Sequence, residues 1–388
     1  MKIGITIYFG ENISLWSNGI QLNALMLAET LSKIEGAEVC FLNTEKFTEE
    51  KLPWDTKEFP TYYAYDKYLD VDLLIFLGSG LGKKCINEFK KRKGKKFIMY
   101  KCGNEFIIDM EENIFGKDAE NERLEIIYNC DEVWYVPQQH ETNKHYFECL
   151  HKTKSIPVPF VYNPRWIEDT AKNRQNLVKK SMYYSASNEL LKRIVIMEPN
   201  INIVKYAMYP LIIAEMYHRM HPKKIKDVSL IGGDKINKKT KFLSIVKTFD
   251  LKKDEKLFVE ERRLTSFALG ESADILICHQ MMNPLNYIYL DAAWLGYPII
   301  HNAEYVKDLG FYYHRNDVEV GVEKLKYVID HFDEDEDYND RQKKVFERFN
   351  NVSDEMVYQY DMLIKNLFND KEDLMIDSTF EFNQNKYV

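Results

Sequence analysis

The sequence of 388 residues lacks the cysteine patterns that mark disulfide frameworks and zinc sites. Its six cysteines are scattered, form no CxxC pair and belong to no His/Cys cluster, which is typical of a reduced, cytosolic chain. No apolar run approaches the roughly 18 residues of a membrane span, and the first such run, residues 2–9, is too short for a signal peptide. These absences predict a cytoplasmic chain that does not insert stably into a membrane.

Several catalytic motifs are missing as well. There is no Walker A loop, no GxSxG elbow and no Ser-His-Asp spacing, so kinase and serine hydrolase functions receive little support. The Asp-x-Asp pair formed by Asp70 and Asp72 directly precedes an apolar run, where capping is its expected role. We therefore predict no obligatory metal ion.

Charge is unevenly distributed along the chain, whose formal net charge is −8. Acidic residues concentrate near the C-terminus, in DEDEDYND at 333–340, whereas the run at 83–96 holds eight basic residues and one acidic residue. Such runs are usually solvated surface. The alternative is that the basic run meets a polyanion.

Short apolar runs alternate with amphipathic stretches, which is typical of parallel sheets covered on both faces by helices. The alternation stops at a polar stretch, 161–190, and then restarts, so we predict two Rossmann-like α/β domains joined by an irregular linker. Open α/β sheets bind ligands at the carboxyl ends of their strands, which makes the cleft between the domains the predicted site. The predicted units are an N-terminal domain at 1–175, a C-terminal domain at 190–345 and a helical segment with a tail at 346–388. Strands are predicted at 2–9, 37–43, 71–78, 95–103, 131–137, 155–160, 193–200, 227–233, 256–261, 273–279 and 298–302, and a last helix at 342–368.

The stretch NPLNYIYLDAAWLGYPIIHN at 283–302 carries the most specific pattern. It resembles the donor-domain pattern E-P-F-G-x-x-x-x-E-A-M-A-x-G-x-P-V-I of GT-B glycosyltransferases, with matching spacing throughout. Asn283 replaces the first glutamate of that pattern and Asp291 replaces the second. Taken alone, Asp291 could be an ordinary helix carboxylate. Because both carboxylate oxygens can accept hydrogen bonds from a ribose diol, the resemblance implies that Asp291 holds the ribose of the donor.

The resemblance also implies a donor site across the second domain. In GT-B enzymes the first strand and loop of this domain contact the diphosphate, and Asn200 and Lys205 occupy that junction here. A helix N-terminus beside a lysine suits an anion. A second basic contact follows a later strand, where Arg262 and Arg263 stand, although single basic residues are also common on surfaces. The implied ligand is a nucleotide sugar, a UDP-sugar with UDP as the product, and the implied donor-binding residues are Gly19, Asn200, Lys205, Arg263, His279, Asn283, Asn286 and Asp291.

The N-terminal domain is expected to hold the acceptor. Its loop ENISLWSNG resembles the first loop of GT-B enzymes, in which a glycine lets the backbone approach the donor. An inverting transferase needs a carboxylate or a histidine to deprotonate the acceptor hydroxyl. Glu105 is the first candidate for this base, Asp109 the second and His140 the third. The predicted acceptor-binding residues are Trp16, Asn18, Lys101 and Asn104.

Nearly the full length resembles a family of bacterial and phage proteins of unknown function. The family carries the motifs W-x-N-G-I-x-x-N, E-P-N-I-S-V-V-K, and N-Y-x-Y-L-D-A followed by G-Y-P-L-V-H-N. The corresponding stretches of this chain are WSNGIQLN at 16–23, EPNINIVK at 198–205, and NYIYLDA and GYPIIHN within 286–302. Phage transferases that attach sugars, including arabinose, to 5-hydroxymethylcytosine in DNA look similar to this arrangement. The resemblance therefore implies transfer of arabinose or glucose to 5-hydroxymethylcytosine in double-stranded DNA, in the host cytoplasm if the chain is phage-encoded.

Two other functions stay open on the sequence. The acceptor could be a surface polysaccharide or a lipid, because a basic amphipathic surface such as 83–96 can also bind membranes. The chain could instead be an inactive GT-B-like binding protein, which the asparagine at 283 allows.

Overall fold

The computed structural model describes residues 1–10, 19–116, 130–178, 181–186 and 189–369. These residues form two parallel sheets with helices interleaved between the strands, so the predicted α/β class is confirmed. The strands are continuous apolar runs, and most of their residues are buried because helices cover both faces of each sheet.

The first sheet is built from the N-terminal part of the chain. Its strands are β1 (Lys2–Ile7), β2 (Glu38–Asn43), β3 (Thr61–Tyr63), β4 (Leu73–Phe76), β5 (Lys96–Lys101), β6 (Glu132–Tyr135) and β7 (Ser155–Pro157). They pair in the order β3-β2-β1-β4-β5-β6-β7. The helices of this part are α1 (Gly19–Leu31), α2 (Ala64–Lys67), α3 (Lys83–Lys90), α4 (Glu105–Phe115), α5 (His140–His151) and α6 (Arg165–Val178).

The second sheet repeats this design. Its strands are β8 (Lys192–Ile196), β9 (Ile225–Ile231), β10 (Leu257–Glu260), β11 (Ile275–Ile277), β12 (Ile299–His301) and β13 (Phe311–Tyr312), in the order β10-β9-β8-β11-β12-β13. The helices are α7 (Met208–Met220), α8 (Thr240–Val246), α9 (Asp250–Lys253), α10 (Thr265–Ser272), α11 (Tyr287–Trp294), α12 (Val318–His331), α13 (Tyr338–Glu347) and α14 (Asp354–Phe368).

The stretch predicted to be an irregular linker contains α6, so that prediction was wrong. Ile167 and Ala171 lie one helical turn apart and are both buried. Their burial supplies the apolar face that stabilises the helix despite its polar composition.

The C-terminal helices pack back toward the N-terminal domain, as predicted. The Tyr360 hydroxyl on α14 donates to the carbonyl oxygen of Pro159 at 2.7 Å and lies 3.2 Å from the Tyr100 hydroxyl of β5. The single helix predicted at 342–368 is two helices, because Ser353 caps a new one by accepting from the Met356 amide at 3.2 Å.

A compact junction joins the domains where the chain crosses between them twice. Tyr162 on the first crossing and Asn350 on the second form an isolated β-bridge. The next residue, Asn351, is fully buried and donates to the carbonyl oxygen of Met26 in α1 at 2.8 Å. Its own carbonyl accepts from the Thr30 hydroxyl at 2.7 Å. Helix α1 therefore anchors the junction.

Replacing Asn351 by alanine should lower the free energy of unfolding by about 2–3 kcal/mol, since it leaves buried polar groups without partners. Chemical denaturation of the purified protein measures this change. The matched control is Asn350→Ala, at an exposed position, with an expected effect below about 1 kcal/mol. Equal effects of the two substitutions would contradict an anchoring role for Asn351.

The basic run at 83–96 covers α3 and the turn after it. Its five residues Lys83, Lys84, Lys91, Arg92 and Lys93 are exposed and have no ion-pair partner within the described ranges. Because α3 follows β4 and precedes β5, its first lysines lie at the carboxyl edge of the sheet, whereas 91–93 lie at the opposite edge. The densest part of the run therefore points away from the cleft.

The described helices include none with both the length and the apolar character needed to cross a membrane.

Candidate functional site

A pocket of about 420 Å³ opens at the carboxyl ends of β8, β9 and β10. This is the edge at which open parallel sheets bind ligands, because the loops and the N-termini of the helices converge there. The pocket is lined by Pro199, Ile201, Gly232, Asp234, Lys235, Glu261 and Arg262.

Gly232 shapes one wall of the pocket. Its φ of +80° lies in the left-handed region, and a Cβ atom there would come within 3.4 Å of the Glu198 carbonyl oxygen. The left-handed backbone, rather than lack of space, is therefore what favours glycine at the end of β9.

Glu198 belongs to the loop after β8, and its side chain is fully buried, at 0 % exposure. Its carboxylate accepts from the His279 backbone N–H and from the Gln280 side-chain amide, both at 3.4 Å. Burial raises the pKa of Glu198 to about 8, although the positive charge of Lys205 acts in the opposite direction. A carboxyl group whose pKa lies this close to physiological pH marks a candidate functional position.

Lys205 ends the same loop. Its ammonium group has no hydrogen-bond or ion-pair partner in the described part of the chain. Burial lowers its pKa, the Glu198 carboxylate opposes that shift, and Arg262 adds to it. A desolvated lysine beside a second cation favours the binding of an anion.

Asn200 holds the loop in shape. Its φ of +52° is left-handed, its side-chain amide donates to the Glu198 carbonyl oxygen at 2.6 Å, and its side-chain oxygen accepts from the Ala207 N–H at 2.9 Å. The side chain is thus fully engaged with its own loop. Its predicted contact with the diphosphate stays a prediction.

The two adjacent arginines face different ways. Arg262 lines the pocket, whereas Arg263 forms ion pairs with Glu260 and, at 3.9 Å, with Glu271. The sequence offered both arginines and predicted Arg263 as the diphosphate contact, and that contact stays a prediction.

His279 is held in an aromatic sandwich behind the pocket. Its ring stacks on Tyr209 at a centroid distance of 4.3 Å and its Nδ1 lies 2.9 Å from the Tyr313 hydroxyl. Burial lowers its pKa to about 4, so the ring is neutral at physiological pH. The buried Nε2 atom has no hydrogen-bond partner among the described residues.

A line of amide side chains crosses the cleft beside this pocket. The Gln139 amide, at the start of α5, donates to the Asn283 side-chain oxygen at 2.6 Å. Asn283 in turn donates to the Gln280 side-chain oxygen, and Gln280 donates to Glu198. Asn283, predicted as a donor contact, therefore connects the first domain to the buried carboxylate.

A second bridge crosses nearby. The Asn104 amide donates to the carbonyl oxygen of Met282 at 2.8 Å, while its side-chain oxygen accepts from Thr142, Asn143 and the backbone of Ile107. The loop between β11 and α11 is therefore held by two amides of the N-terminal domain.

Gly19 and Asn286 lie where α1 meets α11. A Cβ atom on Gly19 would be 3.2 Å from the Tyr287 ring, so the glycine allows close approach of the two helices. The Tyr287 hydroxyl accepts from the Asn23 amide at 2.9 Å. Asn286 is the residue that precedes α11, without a side-chain capping bond. Both predicted donor residues thus lie at the contact between the domains.

Asp291 is buried on α11, with 6 % of its surface exposed. One oxygen accepts from the Tyr162 hydroxyl at 3.0 Å, which ties it to the junction between the domains. Burial raises its pKa to about 7, and this hydrogen bond acts in the opposite direction. Asp291 is not among the residues that line the pocket. Its predicted contact with ribose remains a prediction.

The three candidate bases lie at the carboxyl edge of the first sheet, each with a partner. Glu105 pairs through both oxygens with the Lys101 ammonium, at 2.9 and 3.1 Å. The Tyr146 hydroxyl donates to Asp109 at 2.5 Å. His140 Nδ1 lies 2.8 Å from the hydroxyl of buried Tyr135, and burial lowers the pKa of this histidine.

Two predicted acceptor contacts, Trp16 and Asn18, lie outside the described residues. Among those described, no group of three or more His, Cys, Asp or Glu side chains could hold a metal ion.

Sequence reasoning missed the roles of Glu198, Gln280 and Gln139. Glu198 stands in the stretch EPNINIVK, which signalled the loop but not that its first residue is buried. Gln139 is more than a hundred residues from its partner Asn283, and no local pattern could have paired them.

Solved structures share this architecture at low sequence identity. Sucrose-phosphate synthase from Thermosynechococcus elongatus aligns with a TM-score of 0.58 at 12% identity, over 95% of this chain and 99% of that one. A glycosyltransferase from Rickettsia africae aligns with a TM-score of 0.55 at 13% identity, over 95% and 99%. The catalytic domain of starch synthase IV from Arabidopsis thaliana, bound to ADP and acarbose, gives 0.54 at 11% identity, over 95% and 99%. These neighbours are GT-B glycosyltransferases, and the likeness shows that this chain has the GT-B fold.

The sequence matches none of the curated proteins. Residues 3–364 match the family described as a protein of unknown function, DUF2827, and the chain belongs to that family.

Proposed function

We propose that this protein is a glycosyltransferase that uses a nucleotide-sugar donor. The observation that carries the proposal is the pocket at the ends of β8, β9 and β10, with Arg262 in its wall and Lys205 on the loop that borders it. The GT-B fold and the ADP bound to the Arabidopsis neighbour support a nucleotide ligand.

In this proposal, Lys205 and Arg262 bind the diphosphate of a UDP-sugar. Both are cations at the point where the leaving UDP gains negative charge, so they stabilise the leaving group as the bond between the anomeric carbon and the phosphate oxygen breaks. Asp291 accepts hydrogen bonds from the ribose. No metal ion is part of the proposal.

The acceptor hydroxyl forms the new bond to the anomeric carbon and gives its proton to a carboxylate of the N-terminal domain. Glu105 is the proposed base, because it lies at the cleft edge of the first sheet and its ion pair with Lys101 keeps it oriented. Asp109 is the second candidate.

We propose 5-hydroxymethylcytosine in double-stranded DNA as the acceptor, with arabinose or glucose as the transferred sugar. The sequence resemblance to phage DNA-modifying transferases supports this choice, as do the two exposed lysines at the cleft edge, Lys83 and Lys84. Enzymes that modify a base in duplex DNA usually flip it from the stack. Lys83 and Lys84, at the cleft edge, are the cations placed to contact the backbone beside a flipped base.

Labelled UDP-glucose and UDP-arabinose, each mixed with hydroxymethylated or unmodified duplex DNA, test the function and the acceptor together. We expect transfer to hydroxymethylated DNA alone, and none by Lys205→Ala. Transfer to glycan or lipid acceptors but not to DNA would contradict the proposed DNA acceptor and would still support glycosyltransferase activity. Binding of UDP-sugars without transfer to any acceptor, and without hydrolysis, would instead indicate a binding protein.

A further inference from the structure

Helix α4 carries the proposed base, Glu105, at its first position, and it also contacts the second domain at two points. At its start, the amide of the buried Asn104 side chain donates to the Met282 carbonyl oxygen at 2.8 Å. Farther along the helix, the Glu111 carboxylate accepts from the Ile203 backbone N–H at 3.1 Å. The helix is therefore attached to two separate loops of the second domain, one after β11 and one after β8.

The backbone on either side of Glu105 is held by two buried asparagines. Asn104 caps α4, because its side-chain oxygen accepts from the Ile107 N–H at 3.3 Å. The same oxygen accepts from the Asn143 amide of α5 at 2.8 Å, and Asn143 in turn accepts from the Phe106 N–H at 3.0 Å. Asn104 thus uses its oxygen within the N-terminal domain and its amide across the cleft.

The two loops that α4 contacts are joined to each other. The Met281 N–H, on the loop after β11, donates at 3.0 Å to the carbonyl oxygen of Val204, on the loop after β8. Val204 directly precedes Lys205, the proposed diphosphate contact. Met282 has a φ of +53°, a left-handed conformation that a residue other than glycine keeps where the surrounding contacts fix it. The hydrogen bond from Asn104 is one such contact.

We propose that Asn104 and Glu111 are positioning residues for transfer, because they dock α4 onto the two donor loops. Their hydrogen bonds set the separation between Glu105 and a donor bound beside Lys205, and neither side chain touches the substrate. The inference rests on the proposed function, since it requires a donor in the second domain and a base on α4. A displacement of about 1 Å between reacting groups is enough to slow a reaction by up to about 100-fold.

The docking of α4 and the binding of the nucleotide are separable. All the residues that line the pocket belong to the second domain, so breaking the contacts of α4 leaves the pocket lining unchanged. We therefore expect the loss of docking to slow transfer while UDP affinity stays close to that of the wild-type protein. A residue that only held the donor loops in shape would instead weaken UDP binding.

Two substitutions each break one contact and keep the helix. Asn104→Asp keeps the oxygen that caps α4 but loses the N–H that donates to Met282. Glu111→Ala removes the acceptor of the Ile203 N–H, whereas Glu111→Gln keeps an oxygen that can accept from it. Asn113→Ala, at an exposed position of the same helix, is the matched control.

Release of UDP from labelled UDP-glucose and UDP-arabinose, in the presence of hydroxymethylated duplex DNA, measures turnover whether the sugar passes to DNA or to water. We expect kcat to fall by roughly 10–100-fold in Asn104→Asp and in Glu111→Ala, while calorimetry gives a Kd for UDP within about threefold of the wild-type value. Glu111→Gln should restore most of the turnover, and Asn113→Ala should match the wild-type protein in both measurements.

Hydrogen exchange followed by mass spectrometry tests the docking without any substrate. The peptide that contains Ile203 should exchange faster in Glu111→Ala, and the peptide that contains Met281 should exchange faster in Asn104→Asp, because each loop loses a contact that holds it. Asn113→Ala should leave both peptides unchanged.

Wild-type turnover in both Asn104→Asp and Glu111→Ala overturns the inference. A loss of UDP affinity as large as the loss of turnover also overturns it, because the two contacts would then only hold the donor loops. Unchanged hydrogen exchange in both variants overturns the docking itself. Absence of both UDP binding and UDP release in the wild-type protein would contradict the proposed function, and hydrogen exchange would still decide whether α4 is docked.

Discussion

Replacing Lys205 by alanine should weaken the binding of UDP and UDP-sugars by about 100-fold, close to 3 kcal/mol, which is the upper range for a hydrogen bond to a charged group. The large effect is expected because the Lys205 ammonium is unpaired among the described residues, and because its removal leaves the Glu198 carboxylate without a nearby compensating charge. Calorimetry with UDP measures the loss, and circular dichroism checks that the variant is folded.

The adjacent arginines provide a matched comparison for this prediction. Arg262→Ala removes a cation that lines the pocket, whereas Arg263→Ala removes one that pairs with Glu260 and Glu271. We expect about tenfold weaker UDP binding for the first and little change for the second. If Lys205→Ala and Arg262→Ala both bind UDP like the wild-type protein, the diphosphate lies elsewhere.

Replacing Asp291 by asparagine should weaken the binding of UDP-sugars by about 10–30-fold, roughly 1.5–2 kcal/mol, if its free oxygen accepts from a ribose hydroxyl. Asparagine keeps the shape of the side chain and an oxygen that can accept from Tyr162, so the loss would report the carboxylate charge. The competing role is structural, because the one hydrogen bond of Asp291 within the described ranges joins it to the domain junction.

Tyr162→Phe separates these two roles. It removes the hydrogen bond at the junction but leaves the carboxylate. If Asp291 binds ribose, Tyr162→Phe should lower the free energy of unfolding by about 1 kcal/mol and affect UDP-sugar affinity far less than Asp291→Asn does. Equal losses of affinity in the two variants would instead indicate that Asp291 acts only through the junction.

The buried Asp291 carboxyl group also predicts how donor affinity depends on pH. An ionised carboxylate accepts stronger hydrogen bonds from ribose than a protonated carboxyl group does, so affinity for UDP should rise as the pH increases through the Asp291 pKa of about 7. Asp291→Asn should flatten this part of the pH profile, which calorimetry at several pH values measures.

The regular parts of this fold could be predicted from the sequence because they depend on local patterns. Continuous apolar runs such as the one in β1 predicted two parallel sheets, and the resemblance of residues 283–302 to the donor-domain pattern implied the GT-B arrangement. Helix α6 was missed since its stability comes from burying Ile167 and Ala171, two residues in a largely polar segment.

The candidate site was less predictable because its contacts join distant parts of the chain. Arg263 forms ion pairs with Glu260 and Glu271. The sequence alone does not show which of the two adjacent arginines these glutamates bind. The pairing of Asn283 with Gln139 and the hydrogen bond of Asp291 to Tyr162 each connect the two domains. Burial, which sets the pKa of Glu198, is likewise a property of the folded chain rather than of its local sequence.

A crystal structure with UDP tests the central claim most directly. The account predicts a diphosphate oxygen within hydrogen-bond distance of the Lys205 ammonium, about 2.7–3.2 Å, and beside Arg262, in the pocket at the ends of β8, β9 and β10. A nucleotide bound away from Lys205 and Arg262, or a pocket that stays empty at saturating UDP, would contradict it.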